Sequence, residues 1–280
     1  MIKILFPTDY SETANNAFLY ALQMCKNYNG ELLVLHTYAP NLPNVHLTAY
    51  QTEAAAEGKI LGAFDLFQVK VKHLRGIAET NDCGSVQIKF QLEEGELVQN
   101  IQHILTNEKI DLIVMGTTGN SGFGNKLLGS KTTAVIKNIN APVLSVPHLS
   151  KFEGIDAVGF TTLYNQEDAA VIEQMIPYTK NNSADIYCLH VKTKNDEVSK
   201  DTVDAFKNKF KEAPVFFIEK ESEDVVNAVF NFIDEHSLDM ISCITHKKSF
   251  LEELFNTSIA QKLANHKNVP LLTYHEDMFK

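Results

Sequence analysis

Basic side chains are the scarce charges in this 280-residue chain: 25 lysines and arginines stand against 35 aspartates and glutamates, for a formal net charge of −10 and a pI near 5.5. That balance excludes a broad nucleic-acid surface, which needs a clustered excess of Lys and Arg, and it argues against anionic membranes as partners. Long apolar runs are missing too. No stretch approaches the roughly 18 uninterrupted apolar residues of a membrane span, and Met1-Ile-Lys-Ile-Leu-Phe6 meets Pro7 and Asp9 before it reaches the length of a secretory core. Cysteine is sparse: Cys25, Cys83, Cys188 and Cys243 lie far apart with no C-x-x-C pair, so they read as reduced, buried small hydrophobes. The cytoplasm is the expected location.

Several motifs are equally absent. The Gly119–Gly124 spacing is followed by Asn125, with Lys126 one place late, so no Walker A loop is present. Gly122-Phe-Gly124 lacks the third glycine of a dinucleotide fingerprint, and no G-x-S-x-G elbow marks a hydrolase nucleophile. His236, Cys243, His246 and His266 match no zinc spacing, so no metal site is expected among them. No nucleophile–base pair stands out, and no catalytic residue is assigned.

What is present is an alternation of short apolar runs with helical periodicity. Hydrophobic content of 44% and charged content of 21% suit a globular protein. Strands are expected over 2–6, 32–36, 86–92, 112–115 and 143–146. Helices are expected over 12–28, 51–80, 97–105 and 131–137, with an irregular stretch through Pro40 and Pro43. Apolar strands separated by helices predict an open, doubly wound α/β domain with a mainly parallel five-stranded sheet. In the 51–80 helix, Ile60, Leu61, Phe64, Phe67, Val71 and Leu74 fall mostly on one face and predict a core-facing element, with contact to a partner subunit or closure over a nucleotide as the alternatives.

The plan occurs twice. Phe6-Pro-Thr8-Asp-Tyr10 corresponds to Phe160-Thr-Thr162-Leu-Tyr164, and Leu35-His36 to Leu189-His190, both at an offset of 154. Asp111 to Met115 then matches Asp239 to Cys243, and Ala141 to Leu144 matches Val269 to Leu272, at an offset of 128. The second copy is therefore shortened after its second strand. Two tandem domains are expected, residues 1–149 and 150–280.

One loop carries the functional signal. Gly116-Thr-Thr-Gly119, then nine residues to Gly129-Ser130, joins an apolar strand to a helix start. Backbone N–H groups and the positive end of a helix dipole converge at such a place, which suits a phosphate. Asp9 and Thr37 also fall at strand carboxyl ends, where ligands of doubly wound sheets sit.

Together Pro7-Thr-Asp9-Tyr-Ser11-Glu, the Leu35-His36 strand end, Gly116-x2-Gly119-x9-Gly129-Ser130 and Asn140-Ala-Pro142-Val-Leu-Ser-Val146 resemble the universal stress protein family. The likeness covers residues 1 to about 147, and the remainder resembles a degenerate second copy. It implies a tandem protein that binds ATP in its motif-bearing domain, with Mg²⁺, and whose domains pair through their last strands within a chain or as a homodimer. It further implies that Asp9 and the backbone of Thr37 meet adenine, that Gly116 and Gly119 lie beside ribose and phosphates, and that Gly129, Ser130 and Thr132 bind phosphate. Two structural roles stay open beside these: Ser130 suits a helix N-cap, and Asp9 or Ser11 suits the N-cap of the first helix. Neither explains three glycines in the loop.

The second copy departs from the pattern: Leu163, Ile244, Lys247 and Thr257 replace Asp9, Gly116, Gly119 and Gly129, while Ser258 persists. It is expected to be structural or regulatory. The resemblance thus implies a nucleotide-responsive stress or signalling module. The alternatives are an ATP-independent dimeric scaffold and a slow nucleotide hydrolase.

Overall fold

The computed structural model describes residues 1–38, 49–117, 129–181, 183–245 and 269–279. Ten strands form one sheet. In the first half β1 (Lys3–Pro7), β2 (Glu31–Tyr38), β3 (Gln87–Glu94), β4 (Leu112–Gly116) and β5 (Val143–Val146) alternate with α1 (Glu12–Asn27), α2 (Ala49–Thr80), α3 (Leu97–Asn107) and α4 (Ser130–Asn138). In the second, β6 (Ala157–Thr161), β7 (Asp185–Lys192), β8 (Val215–Glu221), β9 (Met240–Thr245) and β10 (Leu271–His275) alternate with α5 (Gln166–Asn181), α6 (Lys200–Lys209) and α7 (Val225–Glu235).

The strand order is β3-β2-β1-β4-β5-β10-β9-β6-β7-β8. Every pairing is parallel except β5 with β10, where Leu144 opposes Leu272. The two expected five-stranded sheets are thus one mixed sheet, joined antiparallel through the last strands. Because β5 has β4 on one side and β10 on the other, it offers no edge to a second copy. The last strands pair within the chain.

Two apolar layers cover the sheet. One centres on Phe6, Phe18, Leu22, Phe160 and Ile172, the other on Leu5, Ile101, Ile113, Val229 and Phe232. Each draws on both halves. All four cysteines are buried and free. Among the described residues no helix is long and apolar enough to cross a membrane.

The repeat is visible in bonds as well as letters. Asp111 Oδ2 accepts from Lys3 N at 2.8 Å, and Asp239 Oδ2 accepts from Asp156 N and Ala157 N at 2.8 and 2.9 Å. Each aspartate pins the entry of its half's central strand. His36 Nδ1 donates to Thr8 O at 2.8 Å, and His190 Nδ1 to Thr162 O at 2.9 Å. Tyr10 and Tyr164 both hold positive φ, 61° and 57°, an uncommon conformation for a bulky residue.

Helix α2 departs from the expectation of a core-facing element. Leu74 is fully buried and Ala78 nearly so, but Leu61 is 64% exposed, and Ile60 and Phe64 are also exposed. Phe67 and Val71 are half-buried. Among the described side chains of α2, burial is complete only toward its C-terminal end, at Leu74 and Ala78, while Phe64 and Phe67 border an open cavity against Leu33, Ile88 and Phe90.

Candidate functional site

In the first half β1 lies between β2 and β4, so chain connections diverge on either side of it and a crevice opens beyond the strand ends. A cavity of about 370 Å³ occupies that place, lined among others by Asp9, Thr37, Gly116, Gly129, Ser130 and Thr132. Six residues separated by more than a hundred positions thus meet at one site. Gly119 lies outside the described residues, as do Pro40 and Pro43 and, in the second copy, His246, Lys247, Thr257, Ser258 and His266.

The turn after β1 is built from its own polar groups. Asp9 Oδ1 accepts from Ser11 N at 3.0 Å, Thr8 Oγ1 accepts from Tyr10 N at 3.0 Å, and Ser11 Oγ accepts from Ala14 N at 3.2 Å. Ser11 is therefore the N-cap of α1, and Asp9 braces the cap from outside the helix. Thr37 presents main chain. Gly95 N bonds Tyr38 O and Thr8 N bonds Leu35 O, so β2 alternates between its neighbours and Thr37 points the way Leu35 does. The ladder with β1 ends at the Pro7–Leu35 pair. The N–H and C=O of Thr37 consequently face the space beyond β1.

Gly116 ends β4, and its glycine character has a packing cause. A Cβ there would lie 3.0 Å from Thr13 Cγ2 and 3.1 Å from Thr13 O. The start of α1 presses on this position, so that glycine is explained without a ligand. Thr132, nearly fully buried, donates its hydroxyl to Gly116 O at 2.9 Å. Thr117 O accepts from Gly129 N at 2.5 Å. These bonds fix the two feet of the glycine loop.

Gly129, not Ser130, is the N-cap of α4, with no side-chain cap hydrogen bond. Ser130 is the first helical residue, and it is exposed. Thr133 N takes Gly129 O, leaving the amides of Ser130, Lys131 and Thr132 without an intrahelical acceptor. The helix dipole and the Lys131 ammonium add positive potential at the same spot. Burial holds His36 below the usual histidine range; the Thr8 carbonyl opposes this, Lys131 reinforces it, and Asp9 opposes it. The ring lies against Tyr10 with centroids 4.4 Å apart.

Lys131, Thr8 and Ala14 also line the cavity, and none of the three is among the binding residues that the family pattern assigns. A lysine directly after the Gly129-Ser130 pair is a legible signal for the first. Ala14 becomes informative only beside its counterpart in the second half, Asp168.

There the equivalent turn is closed from within. Asp168, 2% exposed, accepts through Oδ2 from Leu163 N at 2.7 Å, Thr162 Oγ1 at 2.9 Å and Asn165 N at 3.4 Å, while Asn165 Oδ1 accepts from Asp168 N at 2.8 Å. This is a reciprocal capping box at the start of α5. A carboxylate thus fills the position that Ala14 leaves open in the first half. His190 is held further by Asp196, whose Oδ2 lies 2.8 Å from Nε2. Burial raises the Asp196 carboxyl, but the bonds from His190 and the Val198 amide outweigh it and set it below the usual range.

Comparison with known proteins separates sequence likeness from likeness of fold. The sequence profile of the Universal stress protein family matches residues 1–147. A universal stress protein of Methanocaldococcus jannaschii is 31% identical over 149 residues, 51% of this chain and 81% of the relative. Another from Thermus aquaticus is 29% identical over 143 residues, covering 51% of this chain and 96% of that one. A solved universal stress protein from Archaeoglobus fulgidus superposes over 98% of this chain and 96% of its own with a TM-score of 0.68 at 18% identity. The fold is therefore shared across both halves, while the sequence likeness is concentrated in the first.

Proposed function

The chain belongs to the universal stress protein family, and from that premise we propose that residues 1–149 bind ATP, while residues 150–280 serve as a structural or regulatory partner. The observation that carries this reading is the convergence of Asp9, Thr37, Gly116, Gly129, Ser130 and Thr132 on one cavity. In the proposed pose, the Thr37 N–H and C=O read the adenine edge and the Asp9 carboxylate accepts from its amino group. The amides of Ser130 and Lys131 receive phosphate oxygens at the head of α4. Thr132 takes the supporting part, holding Gly116 in place through its hydroxyl.

The cavity volume of about 370 Å³ falls within the range of small-molecule sites, about 300–1,000 Å³. Among the described residues no cluster of three His, Cys, Asp or Glu is placed to hold a metal. Mg²⁺ accompanying the nucleotide would draw its ligands mainly from phosphate and water. Its charge would offset phosphate repulsion in a chain of net charge −10.

The biological role proposed is that of a cytoplasmic, nucleotide-responsive stress or signalling module, in which occupancy of the first half biases an interaction surface. No catalytic step is assigned. Titration calorimetry of ATP with Mg²⁺ into wild type and Gly129→Leu tests the site. Gly129 has φ −67° and ψ 161°, a conformation open to any residue, so the substitution adds bulk without backbone strain. At least a tenfold loss of affinity is expected; unchanged affinity would rule out the pose.

A further inference from the structure

A second cavity, of about 130 Å³, lies where the two halves join. Its floor includes Leu144 of β5 and Leu272 of β10, the opposed residues of the antiparallel seam. Met24 of α1 and Met175 of α5 wall it from opposite halves, with Tyr28 and Tyr178 beside them. The two tyrosine rings meet edge-on, with centroids 6.4 Å apart at 75°. This space is remote from the crevice beyond β1, and shares no lining residue with it.

We infer that this seam cavity is a binding site for an uncharged, small aromatic molecule, of benzene to indole size. Its size is the first reason: an apolar cavity of about 150 Å³ admits benzene in another protein. The walls are the second. Thioethers and phenol rings give favourable contacts to an aromatic ring edge or face. Among the described residues the one carboxylate in the lining, Asp111, already accepts from Lys3 N at 2.8 Å and has Lys109 Nζ at 3.8 Å. It is therefore compensated, and a charged ligand would lose its hydration without gaining a partner. Half-exposed Tyr178 stands at the margin and offers a route of entry. A ring seated here touches both halves at once and braces the join between them.

The inference is independent of the nucleotide reading and is tested on the full chain without ATP. Indole and benzene are titrated into protein carrying ¹³C-methyl methionine, with benzoate as the charged control. Saturable shifts of the Met24 and Met175 methyl signals are expected, with intermolecular NOEs from the ring to both. Benzoate should bind at least tenfold more weakly. Leu272→Phe, which places a ring in the cavity, should reduce indole affinity at least tenfold; Ile155→Phe serves if that variant does not fold. Shifts that stay linear to the solubility limit, or NOEs confined to other methyl groups, overturn the inference in wild type alone. Equal indole affinity in a folded filling variant overturns it as well.

Discussion

Replacing Asp168 by alanine tests the most specific difference between the halves. The carboxylate is 2% exposed and accepts from three donors, two at 2.7 and 2.9 Å and one at 3.4 Å. Removing it orphans the hydroxyl of Thr162, itself 3% exposed, and the amide of Leu163. Each orphaned buried donor costs about 1–3 kcal/mol. Leu163 as a residue is 56% exposed and its amide bond to Asp168 is only partly buried, so water relieves part of the amide's loss. A destabilisation of about 2–4 kcal/mol results from these terms. Asp9→Ala, by contrast, removes the bond to Ser11 N at 3.0 Å in a half-exposed turn and should cost about 0.5–1.5 kcal/mol. Urea denaturation followed by circular dichroism at constant slope reports both differences as midpoint shifts. If Asp168→Ala costs no more than Asp9→Ala, the carboxylate is not closing the second half and the reasoning fails.

The reciprocal substitution, Ala14→Asp, should place a carboxylate among Thr8 Oγ1, Asp9 N and Ser11 N and cut ATP affinity at least tenfold by calorimetry; full retention would show that Ala14 does not border the bound nucleotide. On α2, Leu74→Ala should cost about 2–5 kcal/mol as a core truncation, whereas exposed Phe64→Ala should stay within about 0.5 kcal/mol, both read from thermal or urea unfolding. Glu31 takes Lys3 Nζ at 2.9 Å and Lys89 Nζ at 3.3 Å; chiefly the Lys3 hydrogen bond, against burial, holds its carboxyl below the usual range. Its stabilisation is thus complete above the unfolded carboxylate range and disappears as pH falls through the lowered folded value. The stability gap between wild type and Glu31→Gln should shrink with acidification over that window; a gap that widens would reverse the assignment.

Much of this protein is legible locally. The strand and helix sequence of the first half follows from apolar runs and helical periodicity, and the offset of 154 relates the paired Thr8–His36 and Thr162–His190 bonds. Repeats show in sequence because the same short-range geometry demands the same residues. The candidate site was legible for the same reason: Asp9, Thr37, Gly116 and Gly129 each mark the end of a strand or the start of a helix.

Contacts between distant segments decided the rest. Pairing of β5 with β10 merges two sheets into one, which no periodicity within either strand can encode. The stripe from Ile60 to Leu74 has one helical period throughout, yet burial is complete only at its C-terminal end, at Leu74, because burial depends on what stands opposite. Gly116 reads as a phosphate-loop glycine until Thr13 is seen 3.0 Å from its missing Cβ. Asp168 reads as an ordinary acidic residue at a helix start until the fold brings Thr162 Oγ1 and Leu163 N onto it. Sequence fixes which groups are available locally; the fold determines which of them are left facing solvent, a ligand or each other.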